Sequence, residues 1–318
     1  MIDQIKTKVS NNIRINDEEA LYLYRDLDLL TLGKLAQEKR FKLVPNKSVS
    51  FVIDTNLNYT NICDAYCSFC AFYRTDPDDP SSYTYSVDEM IKKIRKARDK
   101  GCTTILMQGG LNSDIPFKFY TEIVSRTVNE FPDITPHFFS APEIMKMSEV
   151  SGLTVKEVFL ELKKAGQRTM PGGGSEILTN EIKSKISRFK PKNTVDQWTD
   201  VHRNAHEVGI YTTATMMYGH LEKDKDIIET LSHIRNVQDE SIESKSARFT
   251  AFIPWSFKKD NTALGKKIKK EAGPNQYLRI IALSRIYLDN INHIQASWFS
   301  EGYKTGQIAL SFGADDFG

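Results

Sequence analysis

Apolar and polar positions follow two alternating periods along most of the chain. Short apolar runs predict strands at 49–54, 103–108, 134–140, 168–170, 211–217, 248–253, 293–297 and 310–312. Between them, stretches such as 87–100, 116–130 and 154–165 repeat apolar residues at helical spacing. This alternation favours parallel βαβ units, and the number of strands fits an α/β fold of the (β/α)8 TIM-barrel type. An open doubly wound sheet is the rival, but no Gly-x-Gly-x-x-Gly motif follows the first strand.

The first 47 residues have a different pattern, without strand-like runs. Helical spacing recurs over 16–40, and Asn16 or Asp17 is placed to cap the start of that helix. We therefore divide the chain into an N-terminal helical extension, 1–47, and a barrel domain, 48–318. Because the last predicted strand ends just before the C-terminus, we expect the final helix of the barrel to be missing.

Composition and charge exclude several functional classes. A net charge of +2 gives no reason to expect nucleic acid or a membrane surface as a partner. No stretch offers the ~20 apolar residues that a membrane helix needs, and the N-terminus does not resemble a signal peptide. The cysteines do not form a disulfide framework, so the sequence favours a cytoplasmic, reducing location.

Three of the four cysteines lie on one predicted loop. Cys63, Cys67 and Cys70 have the spacing Cys-x3-Cys-x2-Cys, directly after the first strand. Three thiolates can hold three irons of a four-iron cube and leave the fourth iron open to a small molecule. Zinc is the alternative, and it would need a fourth ligand such as His137 or His220. Cys102 precedes the second strand, at the opposite end of the sheet, and is a poor candidate for that ligand.

Other unusual motifs also follow predicted strands. They are Gln108-Gly109-Gly110, Ser140-Ala141-Pro142-Glu143, Gly172-Gly173-Gly174, Gly219-His220-Leu221-Glu222 and Ile253-Pro254-Trp255. In a barrel of parallel strands, chemistry sits at the carboxyl ends of the strands. The sequence therefore predicts one site that these loops share with the cysteines.

The cysteine spacing on this loop resembles the radical S-adenosylmethionine superfamily. The resemblance implies an enzyme with a [4Fe–4S] cluster on the three cysteines, S-adenosyl-L-methionine at the open iron, and a 5′-deoxyadenosyl radical mechanism. It implies cofactor contacts from Phe69, Gln108, Gly109, Gly110, Ser140, Glu143, Gly219, Glu222 and Ile253. Glu143 and His220 are the candidate catalytic groups, with a helix cap as the alternative for Glu143 and a structural histidine for His220.

Longer motifs at 58–63, 70–74 and 171–177 resemble the group that contains the futalosine-pathway enzymes and the deazaflavin-forming synthase. Within that group, the motifs at 105–110, 213–220, 252–255 and 294–298 resemble the cyclases of the futalosine pathway. Resemblance to the cyclases of that pathway implies oxidative cyclisation of dehypoxanthine futalosine, a nucleoside, in menaquinone biosynthesis. It also implies a low-potential electron donor of the flavodoxin or ferredoxin type. Aminofutalosine synthase is the nearest alternative, and a non-catalytic iron–sulfur or zinc protein is the alternative of another class. Arg168 departs from the pattern, where an aspartate is expected.

Overall fold

The computed structural model describes residues 1–318, and its centre is one curled sheet of parallel strands. The strands are β1 Ser50–Phe51, β2 Asp54–Leu57, β3 Thr104–Met107, β4 Thr135–Phe138, β5 Thr169–Met170, β6 Tyr211–Tyr218, β7 Phe249–Ser256, β8 His293–Ala296 and β9 Asp316–Phe317. Their order across the sheet is β1-β9-β8-β7-β6-β5-β4-β3-β2, and every pairing is parallel. The predicted TIM-type α/β fold is confirmed.

Helices cover the outside of this sheet. They are α1 Ile2–Ser10, α2 Asp17–Arg25, α3 Leu29–Leu43, α4 Val87–Arg98, α5 Phe117–Glu130, α6 Ala141–Ser151, α7 Val155–Ala165, α8 Asn180–Lys185, α9 Val195–Val208, α10 Asp224–Glu243, α11 Pro274–Tyr287, α12 Trp298–Glu301 and α13 Tyr303–Ala309. None of them is long and apolar enough to cross a membrane.

The first predicted strand is divided into two. Ser50–Phe51 pairs with Asp316–Phe317, whereas Asp54–Leu57 pairs with Thr104–Met107 on the other side. The two edge strands of the sheet are therefore neighbouring parts of one segment, and the two ends of the curled sheet meet there. The cysteine loop begins directly after this segment.

The prediction of a last strand at 310–312 is wrong. Those residues form a turn after α13 that ends at Gly313, with φ +102°. The strand follows at Asp316–Phe317, because the preceding Asp315 is fixed in the interior. Asp315 is 2% exposed, pairs with Arg285, lies 2.7 Å from His293 Nδ1 and accepts the Ile294 N–H at 2.9 Å. A short strand fixed by one buried carboxylate has too few residues to show an apolar pattern.

The N-terminal helices pack on the barrel helix α11. The Arg279 guanidinium donates to the backbone oxygens of Leu23 and Tyr24 in the last turn of α2 and of Leu27 just beyond it. Gly33 lies so close to the Phe312 ring that a Cβ atom would come within 2.5 Å of it. Helix α1 was absent from the sequence interpretation, although Ile5 and Val9 bury one face of it.

His202 and His206 on α9 are buried. Their exposures are 0% and 1%, and both rings lie within hydrogen-bonding distance of the Thr212 hydroxyl. The other His206 nitrogen lies 2.7 Å from Ser241 Oγ. Burial lowers the pKa of His206 to about 3, so it is neutral at pH 7. Val195, Trp198, Val201 and Ala205 share the buried face of α9, and this spacing is the signal that identifies both histidines as core residues.

Candidate active site

The cysteine loop is held between two segments from much later in the chain. The Ser68 N–H donates to Ile186 O at 2.9 Å, and the Arg188 N–H donates to Tyr66 O at 3.2 Å. On the other side, the Leu264 N–H donates to Ser68 O at 2.8 Å. Tyr66 has a φ of +50°, which is rare for a residue with a side chain. These backbone bonds fix the loop between its first and last cysteines.

The three thiols differ in burial. Cys67 is 6% exposed, and Cys63 and Cys70 are half-buried. Burial raises the pKa of Cys63, and it raises the pKa of Cys67 to about 12. These thiols are therefore protonated at pH 7 until a metal displaces the proton, because metals bind the thiolate.

The donor set fits a cluster better than a single ion. No three His, Cys, Asp or Glu side chains converge on one point in the way that a single-ion site requires. Each thiolate of a four-iron cube binds a different iron, so the three sulfurs need not converge. His220, one of the two residues suggested as a fourth ligand for zinc, is not available for that role. Both of its ring nitrogens form hydrogen bonds with the backbone of its own turn.

Gly109 and Gly110 lie directly against the start of the cysteine loop. A Cβ atom on Gly110 would lie 2.1 Å from Ile62 O and 2.9 Å from Cys63 Cβ. On Gly109 it would lie 2.4 Å from the Tyr59 ring. No side chain fits at either position, so the two glycines allow the end of β3 to approach the first cysteine.

Glu143 lies in the first turn of α6, and its carboxylate is fully occupied. Oε1 accepts the Tyr59 hydroxyl at 2.7 Å and the Gly109 N–H at 2.9 Å. Oε2 accepts the Ser140 N–H at 2.7 Å and the Ser140 hydroxyl at 2.5 Å. Burial outweighs these bonds and raises the pKa of Glu143. Four donors occupy the four acceptor sites of a carboxylate, so the geometry favours the helix-capping alternative over a direct contact with a ligand.

Three rim loops converge around Gln108. A Cβ atom on Gly173 would lie 2.6 Å from the Gln108 Nε2 and 3.1 Å from Ser140 Cβ. The loops that follow β3, β4 and β5 are therefore in contact. The predicted residues Gln108 and Ser140 are brought together here, and Gly173 joins them.

The turn after β6 is closed by Glu222. The Gly219 N–H donates to Oε1 at 2.5 Å and the His220 N–H donates to Oε2 at 2.9 Å. His220 donates from Nε2 to Met217 O at 3.0 Å, and its Nδ1 accepts the Leu221 N–H at 2.7 Å. Burial lowers the pKa of His220, and its side chain is 0% exposed. This geometry favours the structural alternative for His220.

Partly exposed positions alternate along the strands and share the inner face of the curled sheet. Ile253 on β7 has this position, between the buried Phe252 and Pro254, and pairs in register with Thr215 on β6. His137 on β4 is also a partly exposed position on the inner face, and it pairs in register with Leu106 on β3. Its Nδ1 lies 3.0 Å from Thr169 Oγ1, and no protein atom bonds its Nε2. Burial lowers the pKa of His137 to about 4, so it is a neutral acceptor at pH 7.

A buried charged network behind the cysteines was absent from the sequence interpretation. Glu176 is 8% exposed, and its carboxylate lies 2.9 Å from Lys192 Nζ and 3.8 Å from Lys183 Nζ. Burial works to raise the pKa of Glu176, but the two lysines outweigh it and lower that pKa. The crevice between these residues also touches Cys67 and Phe69, and the Lys192 ammonium lies 5.2 Å above the Phe69 ring. This network places a cation beside the cysteine loop.

Two further features are the side chain of Arg168 and a groove beside the outer helices. The exposed Arg168 turns outward and donates to Lys163 O at 2.9 Å, at the end of α7. Its departure from the expected aspartate does not place a cation on the inner face of the sheet. A groove of about 850 Å³ runs along α6, α7 and α9 and reaches the cysteine loop at Asp64 and Ala65; none of its lining residues belongs to a strand.

Comparisons with known proteins agree with this geometry. The model of the radical SAM superfamily matches residues 57–234, which include the three clustered cysteines. The model of the CofH/MqnC C-terminal region matches residues 246–318. Together the two matches extend from β2 to the end of the chain.

Individual relatives have two different names. The chain is 40% identical to the cyclic dehypoxanthine futalosine synthase of Halalkalibacterium halodurans, over 100% of this chain and 83% of the relative. It is 38% identical to a 5-amino-6-(D-ribitylamino)uracil–L-tyrosine 4-hydroxyphenyl transferase of Methanococcus maripaludis, over 96% of this chain and 84% of the relative. The crystal structure of methylornithine synthase has a TM-score of 0.75 at 16% identity, over 98% of this chain and 85% of that one, and supports the fold alone.

Proposed function

The chain belongs to the radical S-adenosylmethionine superfamily, and from this premise we propose that it cyclises dehypoxanthine futalosine on the route to menaquinone. Enzymes of this superfamily bind a [4Fe–4S] cluster and S-adenosylmethionine, and this chain is such an enzyme. The observation that carries the choice of substrate is the 40% identity to a cyclic dehypoxanthine futalosine synthase along the whole chain.

Cys63, Cys67 and Cys70 would hold the cluster as its only protein ligands. When bound, the cluster and S-adenosylmethionine supply a carbon radical that removes a hydrogen atom from the substrate. The protein supplies the position and the shielding. Backbone bonds to Ile186 and Leu264 keep the cysteine loop in place at the end of the sheet.

The rim loops provide a cofactor pocket next to the cysteines. We assign the contacts with S-adenosylmethionine to Gln108, to the backbone of Gly109 and Gly110, and to Ile253 on the inner face of β7. Ser140, Glu143, Gly219 and Glu222 hold the rim turns through their own hydrogen bonds. In this assignment the glutamates are positioning residues, because their oxygens already accept from the protein.

His137 is a better candidate than His220 for the proton acceptor in the ring closure. Its Nε2 is free of protein bonds and lies on the inner face of the sheet, whereas both nitrogens of His220 are engaged. We expect His137→Asn to retain S-adenosylmethionine cleavage and to lose cyclic product. Equal losses of deoxyadenosine and product in this variant would exclude the acceptor role. We expect His220→Asn mainly to lower thermal stability.

Substrate choice needs a direct assay, because the relative from Methanococcus maripaludis is almost as similar. Cluster-loaded enzyme, S-adenosylmethionine and dithionite are incubated with dehypoxanthine futalosine. The expected result is 5′-deoxyadenosine together with a cyclic product. Turnover only with 5-amino-6-(D-ribitylamino)uracil and tyrosine would assign the transferase reaction instead. Turnover only with the enolpyruvyl benzoate compound would assign aminofutalosine synthase.

A pair of cysteine variants separates this enzyme from a non-catalytic metal protein. After anaerobic reconstitution, Cys67→Ala should lose bound iron and deoxyadenosine formation. Cys102→Ala, at the start of β3, should keep both. Zinc in place of iron in the unmodified protein, with no cleavage of S-adenosylmethionine, would reject the proposal.

A further inference from the structure

Two basic segments flank the cysteine loop, although the whole chain has a net charge of only +2. We call residues 258–270 the basic loop and residues 185–190 the basic turn. The basic loop contacts the cysteine loop through the Leu264 N–H and Ser68 O, at 2.8 Å. The basic turn contacts it through Ile186 O and the Arg188 N–H. Both segments are thus fixed against the loop that bears the predicted cluster ligands.

The basic loop carries its charge at the surface. It contains Lys258, Lys259, Lys266, Lys267, Lys269 and Lys270, against the single acid Asp260. Leu264 is 0% exposed and anchors the loop, while Lys266, Lys267, Lys269 and Lys270 are exposed and lie in no ion pair. Exposed cations that lie in no ion pair are available to a partner.

The basic turn adds cations and an exposed aromatic side chain. Lys185, Arg188 and Lys190 are exposed, and Phe189 between them is 71% exposed. The Phe189 ring packs on Tyr66 at a centroid distance of 4.9 Å, within the cysteine loop itself. Phe72, two residues after the last cysteine, is 73% exposed. An exposed aromatic side chain beside cations, such as Phe189 beside Arg188, is typical of a surface that another protein covers.

We propose that the basic loop and the basic turn form the docking surface for an acidic, low-potential one-electron carrier protein. This proposal rests on the proposed function, since cleavage of S-adenosylmethionine needs one electron at the cysteine-bound cluster, and the carrier supplies this electron to start turnover. The reduced carrier gives up that electron and leaves oxidised, and no bond is made to it. The electron released when the ring closes returns to the cluster or to the oxidised carrier. Complementary charge speeds the encounter of two proteins and sets their orientation.

The position of the cations favours this partner over other polyanions. Nucleic acid or an anionic membrane also binds basic surfaces, but neither gives a reason for the charge to adjoin the cysteine loop. An electron carrier does, because electrons pass between proteins only over short distances. Phe189 and Tyr66 connect the exposed surface to the loop that bears Cys67.

Charge reversal in the cluster-loaded enzyme tests the surface. The variant carries Lys266→Glu, Lys267→Glu, Lys269→Glu and Lys270→Glu. The matched control reverses Lys6, Lys34, Lys96 and Lys100, which are also exposed and in no ion pair. Flavodoxin binding is measured by titration at increasing salt, and product formation is measured with reduced flavodoxin and separately with dithionite.

The expected result is at least a tenfold weaker affinity for flavodoxin in the variant, with a smaller salt dependence, and unchanged affinity in the control. Turnover with flavodoxin should fall, and turnover with dithionite should not. Equal flavodoxin affinity in the variant and the parent would overturn the docking surface. The docking surface would also be overturned if the enzyme did not bind flavodoxin but bound duplex DNA or phosphatidylglycerol vesicles through these lysines at 150 mM salt. Absence of product with dithionite in the parent enzyme would refute the proposed function instead, and leave the binding result standing.

Discussion

The two sides of the cysteine loop are stabilised by different physical means. On one side, Gly109, Gly110 and Glu143 make a close-packed contact, and the buried carboxylate accepts only from uncharged donors. On the other side, Glu176 is buried between Lys183 and Lys192. The pKa of Glu143 is raised and that of Glu176 is lowered, although both are almost inaccessible to solvent. Burial alone therefore does not decide the charge of a rim carboxylate; its partners do.

Among the variants that test this comparison, Glu176→Gln should cause the largest loss in the free energy of unfolding. It leaves two lysine ammonium groups buried without a carboxylate, and breaking a buried pair in this way costs about 3–5 kcal/mol. We expect a loss of that order in the free energy of unfolding, measured by urea denaturation, together with weaker retention of iron. Glu181→Gln is the control, because its exposed pair with Lys185 should contribute almost nothing. Similar unfolding curves for the two variants would contradict the network's role.

Gly110→Ala tests the close-packed side. The added Cβ atom meets the Ile62 carbonyl at 2.1 Å, so the start of the cysteine loop must move. Overpacking of this kind costs about 2–3 kcal/mol. The measurement is thermal unfolding combined with iron content after reconstitution. Gly273→Ala is the control, because no atom lies within 4 Å of the added Cβ. It should change the thermal stability and the iron content much less. Full iron occupancy in Gly110→Ala would show that the contact is dispensable.

Glu143→Gln should reduce the free energy of unfolding by less than Glu176→Gln or Gly110→Ala does. The amide keeps one acceptor oxygen but turns an NH2 group towards donors, so one buried N–H loses its partner at a cost of about 1–2 kcal/mol. Urea denaturation at pH 7 measures this loss. A loss as large as that of Glu176→Gln would mean that uncharged donors stabilise a buried carboxylate as strongly as lysines do.

The smallest effect is the pH dependence, and its sign differs between the two glutamates. Glu176, with a lowered pKa, contributes stability above about pH 4.3 that is lost as the pH falls through its folded pKa. Glu143, with a raised pKa, contributes stability at low pH that is lost as the pH rises from about 4.3 through its folded pKa. Between pH 7 and pH 4, the penalty of Glu176→Gln should shrink and that of Glu143→Gln should grow. If both penalties changed in the same direction with pH, the two glutamates would not differ in the sign of their pKa shifts.

The sequence was sufficient for the features that depend on local spacing. Seven of the eight predicted strands correspond to observed ones, and the cysteine loop and the Gln108-Gly109-Gly110 turn follow them at one end of the sheet. Ser140-x-x-Glu143 was also readable, because this spacing is a capping box at the start of a helix. The structure confirms this cap, which places Glu143 in the first turn of α6.

Other features depend on contacts that no local pattern encodes. Glu176 and Lys192 are 16 residues apart and meet only when the rim loops fold together. Tyr59 reaches Glu143 across 84 residues, and Asp315 fixes the last strand through Arg285. Whether a polar side chain is satisfied by the protein or free for a ligand depends on such contacts. The sequence therefore points to His220 as a catalytic candidate, whereas the unbonded Nε2 of His137 is apparent only in the structure.

The meeting of the two sheet edges at residues 50–57 has a consequence for local opening. Only two residue pairs join Ser50–Phe51 to Asp316–Phe317, whereas β6 and β7 are joined over their whole length. Short ladders open with a lower free energy than long ones, so amide hydrogen exchange should be faster at this seam than between β6 and β7. Such an opening would expose the inside of the barrel from the flank while the long strands stay closed. The seam thus offers water and small molecules a route to the inner face that does not pass the cysteine loop.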